Sequence, residues 1–240
     1  TVIIRKFGMS KREERNFMRS KKRVIGAVFF FAAGFLFQGC DGGAAVKEVE
    51  EAAPAAPAKS EQTMGISVFR NGYFKIYTDA NSPDNHYVPS GWMGDHGDLK
   101  LDEKFTANPY GGGTCVKVIY NGKATQGARW AGVYWQNPPN NWGTRAGGYN
   151  LTGAKKLTFW ARGDKGGERI EEFKIGGITG EYADSDVAGI GPVVLTTEWQ
   201  EFTIDLEGKD LSSVSGGFCW ATNIDVNPQG CTFYLDDIKY

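Results

Sequence analysis

The sequence predicts an all-β fold, a two-sheet antiparallel β-sandwich, over residues 65–240. Three observations carry this. Its apolar residues alternate with polar ones in short segments, Gly, Asn, Asp and Pro clusters separate those segments, and helical periodicity is nearly absent. The expected strands are 74–78, 115–120, 131–136, 156–161, 171–175, 200–206, 217–221 and 232–240. In the sixth, Phe202, Ile204 and Leu206 share one side and Glu201, Thr203 and Asp205 the other, the period of two of a half-buried strand. Leu157, Phe159 and Ala161 form a similar inward set. Asn71-Gly72, Asn121-Gly122, the Gly163 to Gly167 run and the Asn137 to Asn141 run supply turn chemistry between strands. Eight such strands need two packed sheets, and the 176 residues from Gly65 hold all seven Trp, enough for one domain with a full core.

The segments before residue 65 read differently. Met18 stands directly before the basic run Arg19-Ser20-Lys21-Lys22-Arg23, and Val24 to Phe37 is 14 residues without a charge. That is short for a spanning helix, which needs about 20 residues, and fits a cleaved export signal over 18–40. Residues 1–17 then read as a mis-called upstream extension. Gly39 before Cys40 resembles the lipobox of bacterial lipoproteins, which implies lipidation at Cys40 and a membrane-anchored chain facing the periplasm or the cell exterior; Phe37 and Gln38 depart from the usual lipobox residues. Residues 41–64, with Gly42-Gly43 and Ala52-Ala53-Pro54-Ala55-Ala56-Pro57, have almost nothing large to bury and form a flexible tether.

Without residues 1–40 the chain keeps 18 basic and 26 acidic residues, a net charge of −8. Such a surface repels nucleic acid and anionic lipid headgroups, so no nucleic-acid partner is expected and contact with a membrane runs only through the lipid anchor. Neutral ligands are favoured.

Three stretches resemble the β-jelly-roll carbohydrate-binding modules and related galactose-binding-like domains. They are the closing strand Phe233-Tyr234-Leu235-Asp236-Asp237-Ile238, the run Leu157-Thr158-Phe159-Trp160-Ala161-Arg162-Gly163, and Glu198-Trp199-Gln200-Glu201-Phe202-Thr203-Ile204. Each is short and shared by modules with different ligands, so the resemblance bears on fold more than on function. It implies a jelly roll and a polysaccharide or oligosaccharide partner. It also implies a structural calcium held by Asp79 with Asp236 or Asp237, oxygen ligands of the kind calcium takes, though far from the six to eight it needs. No organic cofactor is expected, and with only His86 and His96 and no C-x-x-C pair, zinc and haem lack ligands.

Sugar rings present flat C–H faces that Trp and Tyr can cover while amides and carboxylates take the hydroxyls. The segment from Trp130 to Gly143 concentrates Trp130, Tyr134, Trp135 and Trp142 with the amides Gln136, Asn137, Asn140 and Asn141. Alternation puts Trp130 and Tyr134 on one side and Val133 and Trp135 on the other. With Val133 in the core, the candidate ligand-binding residues are Trp130, Tyr134, Trp142, Asn140 and Asn141. The loop 90–98 adds Trp92 and Asp95 as the far side of a cleft, or forms a glycine-rich turn whose acids serve backbone amides. Large side chains are also what a sandwich core consumes, so each Trp has a core reading beside the ligand one.

Catalysis finds little support. The paired carboxylates of sandwich-fold glycosidases, E-x-D-x-E or E-x-D-x-x-E, are absent, and Glu168, Glu171 and Glu172 beside Arg169 and Lys174 read as a solvated strand edge. No G-x-S-x-G context accompanies the two histidines, and Gly111-Gly112-Gly113 lacks the Lys and helix of a phosphate loop. Cys115, Cys219 and Cys231 allow at most one disulfide, with the pairing open and a buried thiol expected at the odd position. The leading expectation is an exported, lipid-anchored, noncatalytic carbohydrate-binding protein of the bacterial cell envelope. The alternatives are a structural or interaction subunit that packs on an envelope protein partner, and a glycan-active enzyme.

Overall fold

The computed structural model describes residues 72–240, which lie in one compact unit, Glu61–Tyr240. The expected export signal, the expected lipidation at Cys40 and the expected tether lie outside the described residues. Thirteen strands are formed among them: β1 (Lys75–Tyr77), β2 (Val88–Gly94), β3 (Leu99–Phe105), β4 (Cys115–Tyr120), β5 (Trp130–Gln136), β6 (Lys156–Gly163), β7 (Arg169–Ile170), β8 (Glu172–Gly176), β9 (Val187–Ile190), β10 (Val193–Val194), β11 (Gln200–Asp205), β12 (Gly216–Asn223) and β13 (Cys231–Lys239). All pairings are antiparallel. One sheet runs β11-β6-β13-β4-β3, with β1 continuing beside β13; the other runs β2-β5-β12-β8-β9; β10 pairs only with β7. Among the described residues no helix is long and apolar enough to cross a membrane.

The two sheets stack face to face, and the alternation read from sequence decides what lies between them. Leu157, Phe159 and Ala161 of β6 and Phe233 and Leu235 of β13 meet Val133 and Trp135 of β5, Phe173 of β8 and Phe218 and Trp220 of β12, all fully buried. Rings bridge the layers: Phe159 lies 4.6 Å from Phe173 and 5.1 Å from Phe218, and Trp220 lies 5.0 Å edge-on to Phe233. Every expected strand is present within two residues of its expected ends.

Five strands are absent from the sequence reading: β7 and β10, which pair with each other, and the edge strands β9, β2 and β3, the last two flanking the turn at residues 96–98. The region around Trp92, taken as a loop, is β2, with its 3₁₀ turn (His96–Asp98) following. Pro89 and three turn-forming residues disguised it; β2 stands at the edge of its sheet, where a missing N–H is tolerated. The strand after that turn is β3, whose alternation from Leu99 to Phe105 pairs with β4.

Cys115, Cys219 and Cys231 are free and buried. Register explains why none pairs: Cys115 lies opposite Phe105, Cys231 opposite Tyr120, and Cys219 in the other sheet opposite Tyr134.

Candidate functional site

Side chains of β5 that point away from the core are Trp130, Gly132, Tyr134 and Gln136. Cross-strand register extends this outer face into rows. One row is Met93, Gly132, Ala221 and Glu172; the next is Gly91, Tyr134, Cys219, Lys174 and Gly189. The middle of the first row has almost no side chain. A methyl group on Gly132 would meet Met93 Cε at 3.0 Å and Ala221 Cβ at 3.2 Å, so these three form a low, apolar floor. Around it stand taller groups. Trp130, 41% exposed, rises at the start of β5 beside Asn223. Tyr134 lies on the far side, its hydroxyl donating to Gly176 O at 3.0 Å. Lys174 Nζ sits 5.7 Å from the Tyr134 ring and pairs with Glu172 at 2.8 Å. These groups flank the small-residue row as a shallow trough, in which Gly132 is buried, Met93 and Ala221 are half-buried, and one ion pair stands at the side.

The loop after β5 supplies the other wall. Trp142, 41% exposed, meets Tyr134 edge-on with centroids 5.9 Å apart. Its neighbour Gly143 has φ +78°, and a Cβ there would lie 2.1 Å from Thr179 O, so only glycine lets the two loops touch. Tyr182 N donates to Gly143 O at 3.0 Å and the Tyr182 ring is exposed. Asp184 anchors that second loop, its carboxylate accepting from Ile178 N, Ser215 N and Gly216 N. Burial raises the Asp184 carboxyl above its ordinary pKa, and these N–H bonds oppose the rise.

The expected site residues divide. Trp142 meets Tyr134 on this face, and Trp130 stands four residues earlier on the same side of β5, with Val133 and Trp135 in the core. Tyr134 is corrected: it is buried, 4% exposed, and supports Trp142 without presenting a free ring face. Asn140 is exposed beside them, its N–H bound to Ser90 Oγ. Asn141 is corrected: it is fully buried, its Nδ2 donating to Arg145 O and its Oδ1 accepting from Gly143 N. Gln136 is spent likewise, between Ser90 Oγ and Asn141 O, and Asn137 donates to His86 O and the Tyr149 hydroxyl. A buried amide must find partners inside the protein, and these amides shape the loop. Asp95 is also corrected. It is fully buried and accepts from Gln126 N, Ala128 N and Arg129 N, stapling a surface loop to the end of β2. Its burial pushes the carboxyl pKa up, and the loop's N–H bonds outweigh that and hold it below the ordinary value. Trp92, 39% exposed, pairs in register with core-facing Val133 and so lies on the opposite side of the sheet from Trp130. Sequence reasoning missed Met93, the Glu172–Lys174 pair, Ala221 and Tyr182.

The three aspartates expected to hold calcium converge on the Gly111-Gly112-Gly113 loop. Asp236, fully buried, accepts from Tyr110 N and Gly111 N on Oδ2 and from Asp237 N on Oδ1. Asp79 Oδ1 accepts from Gly113 N and Thr114 N. Gly112, at φ +58°, has no room for a Cβ, which would lie 2.0 Å from Asp79 Oδ2. Asp237 Oδ2 faces Lys239 Nζ at 3.3 Å. Burial lifts the Asp236 carboxyl to about 6, against the pull of its three N–H bonds. In this arrangement the carboxylate oxygens serve loop amides and a lysine. Among the described residues no group of three or more His, Cys, Asp or Glu side chains is disposed to hold a metal.

Glu168 departs from the solvated edge expected of it. It is buried, with Oε1 accepting from Asp164 N and Lys165 N and Oε2 without a partner. A cavity of about 390 Å³ opens beside it, lined by Asn121, Lys165, Asn227 and Cys231 among others. None of the exposed rings lines it, so it offers no stacking surface of the kind found in the trough.

No family model and no curated protein matches the chain. Among solved structures it is similar to a family 30 carbohydrate-binding module, at 18% identity and TM-score 0.49 over 70% of this chain and 96% of that one. It is also similar to the family 30 module of the cellulosomal cellulase Cel9D-Cel44B of Clostridium thermocellum, at 19% identity and TM-score 0.45 over 70% and 95%. A third likeness is to the family 11 module of the cellulosomal cellulase Lic26A-Cel5E of the same organism, at 14% identity and TM-score 0.46 over 70% and 93%.

Proposed function

We propose that this protein is a noncatalytic carbohydrate-binding protein and that its ligand lies in the trough on the outer face of the β2-β5-β12-β8-β9 sheet. The observation that carries the reading is the contrast between the Gly132–Ala221 floor and the exposed rings of Trp130 and Trp142 beside it. A sugar ring laid on the floor can put a C–H face against an indole while its hydroxyls reach Glu172 and Lys174, and successive rings of a chain run toward Asn223 at one end and Asn140 at the other. Glu172 is paired to Lys174, and the pair can accept from and donate to sugar hydroxyls. Affinity electrophoresis in a panel of soluble neutral polysaccharides (hydroxyethylcellulose, xyloglucan, glucomannan, xylan) tests this. Retardation in at least one gel, lost in Trp142→Ala, is the expected result; unchanged mobility in every gel overturns it.

Export and lipid anchoring at Cys40 belong to the same proposal and rest on the basic run, the apolar run and Gly39-Cys40. Labelled palmitate incorporated into the wild type and not into Cys40→Ala is the check. Calcium at Asp79, Asp236 and Asp237 is a separate proposal, in which carboxylate oxygens turn from the loop amides to the ion. Added calcium then raises the melting temperature, since a ligand of the folded state stabilises it by mass action. An unchanged melting temperature leaves these aspartates to the amides alone.

A further inference from the structure

The outer face of the other sheet carries a second arrangement of rings, this time interleaved with cations. Arg162 on β6, Tyr234 on β13 and Lys117 on β4 stand in register across three adjacent strands. The Arg162 guanidinium lies 3.8 Å from the Tyr234 ring centroid and 5.2 Å from that of Trp199. Lys117 Nζ lies 4.6 Å from Phe105 and 5.9 Å from Tyr234. Rings and cations are therefore interleaved across the sheet: Arg162 lies between Trp199 and Tyr234, and Lys117 lies over Tyr234 and Phe105, whose centroids are 5.3 Å apart. Beside this row Tyr110 stacks on Trp160 with centroids 3.7 Å apart and 12° between planes, and Tyr110 is 43% exposed.

Both cations lack an acidic partner. Among the described residues neither makes an ion pair. Asp102 stands in register with Lys117, yet its Oδ1 accepts from Lys104 N. Arg162 reaches only Gly163 O, at 3.4 Å, and its Nε is buried without an acceptor. On this face Asp164 is taken by the Tyr234 hydroxyl and Asp236 by the glycine loop, which leaves Asp102 on the outer strand β3 and Glu201 and Asp205 on the outer strand β11. In a chain with net charge −8 beyond residue 40, two central cations have been kept from carboxylates that are abundant elsewhere. Charge-assisted contact with an anion is therefore open to them.

We propose that this face is a second binding surface, for a linear acidic polysaccharide whose uronate carboxylates meet Arg162 and Lys117 while its sugar rings lie against Tyr110 and Trp199. The rings favour a saccharide over an acidic polypeptide, because extended sugar chains present flat apolar faces at regular intervals and a polyglutamate chain does not. This surface is on the side of the sandwich opposite the trough, so it stands or falls independently of the neutral-glycan reading.

The test is affinity electrophoresis of the full chain in gels containing polygalacturonate, alginate or polyglutamate, at low salt and at about 0.3 M salt, where the Debye length is short. The expected result is retardation in polygalacturonate or alginate that salt weakens, that falls roughly tenfold in Lys117→Gln and in Tyr110→Ala, and that persists in Trp142→Ala. Arg162 is packed between rings, so Lys117→Gln and Tyr110→Ala, each checked for an unchanged melt, separate lost binding from lost fold. Three results overturn the proposal: no retardation in either acidic glycan, retardation indifferent to both substitutions, or equal retardation in polyglutamate, which would make the face a site for acidic polypeptide or for charge alone.

Discussion

The two outer faces of this sandwich use aromatic residues in opposite ways. On the β2-β5-β12-β8-β9 sheet the central strands carry Gly132, Cys219 and Ala221 beside the buried Tyr134, and the exposed rings stand at the margins. On the β11-β6-β13-β4-β3 sheet the centre is filled by Trp160, Arg162, Tyr234 and Lys117, stacked on one another. One face is hollow and the other is paved. A hollow encloses a ligand and removes its surface from water; a paved face can only be laid upon. What makes the difference is the residues that are small, because a β-sheet is flat enough that a depression arises only where side chains are missing.

Several substitutions sharpen that contrast. The largest effects are expected in the layer that both faces share. Trp135→Ala or Trp220→Ala should lower stability by about 3–5 kcal/mol, the range for emptying a large buried side chain, measured by denaturant unfolding. The same change at Trp130 or Trp142 should move stability by only about 0.5 kcal/mol, as for exposed sites. There the loss should appear as glycan affinity, about tenfold or more, or about 1.4 kcal/mol. A comparable stability loss at Trp142 would make it a core residue and close the trough reading. Ala221→Leu should fill the floor, abolishing retardation in neutral glycan gels while leaving the melt close to that of the wild type. Retained retardation would place the ligand elsewhere.

The smallest effects concern protonation at the glycine loop. Asp236 holds its proton more tightly in the folded protein than in the unfolded chain, so its contribution to stability is full below pH about 4 and is lost as pH rises through about 6. Asp79 works in the other direction. The Gly113 and Thr114 N–H groups hold its carboxyl below the ordinary value, so its contribution is present above pH about 4 and is lost as acid protonates it. Carboxyl carbon titration by NMR should find the Asp236 midpoint near 6, and a midpoint below 4 would mean that the amides outweigh burial. Calcium, if it binds there, should lower that midpoint.

Much of the fold was legible because period-two alternation is local. On β5 it set Trp130 and Tyr134 apart from the core residues Val133 and Trp135, and from Gln200 to Asp205 it gave the strand almost to the residue. What was not legible is where distant strands meet. Gly132 beside Ala221 makes the floor of the trough, yet that neighbourhood is a matter of register between β5 and β12, which no single segment encodes. The amides misled for a related reason. Asn and Gln side chains that bind hydroxyls of a ligand also bind backbone groups of a loop, and Asn141 and Gln136 do the second. Gly111-Gly112-Gly113 made sense only once Asp79 and Asp236 were seen to accept its N–H groups.

The central claim, that the hollow face is where sugar sits, is tested most directly by NMR of the isotope-labelled protein titrated with whichever soluble neutral glycan of the panel retards it most. Shifts should gather at the backbone amides of Gly132, Cys219 and Ala221 and at the indole N–H groups of Trp130 and Trp142, with Trp160 and Tyr234 unmoved. Shifts confined to the paved face, or scattered with none on β5 and β12, would contradict it.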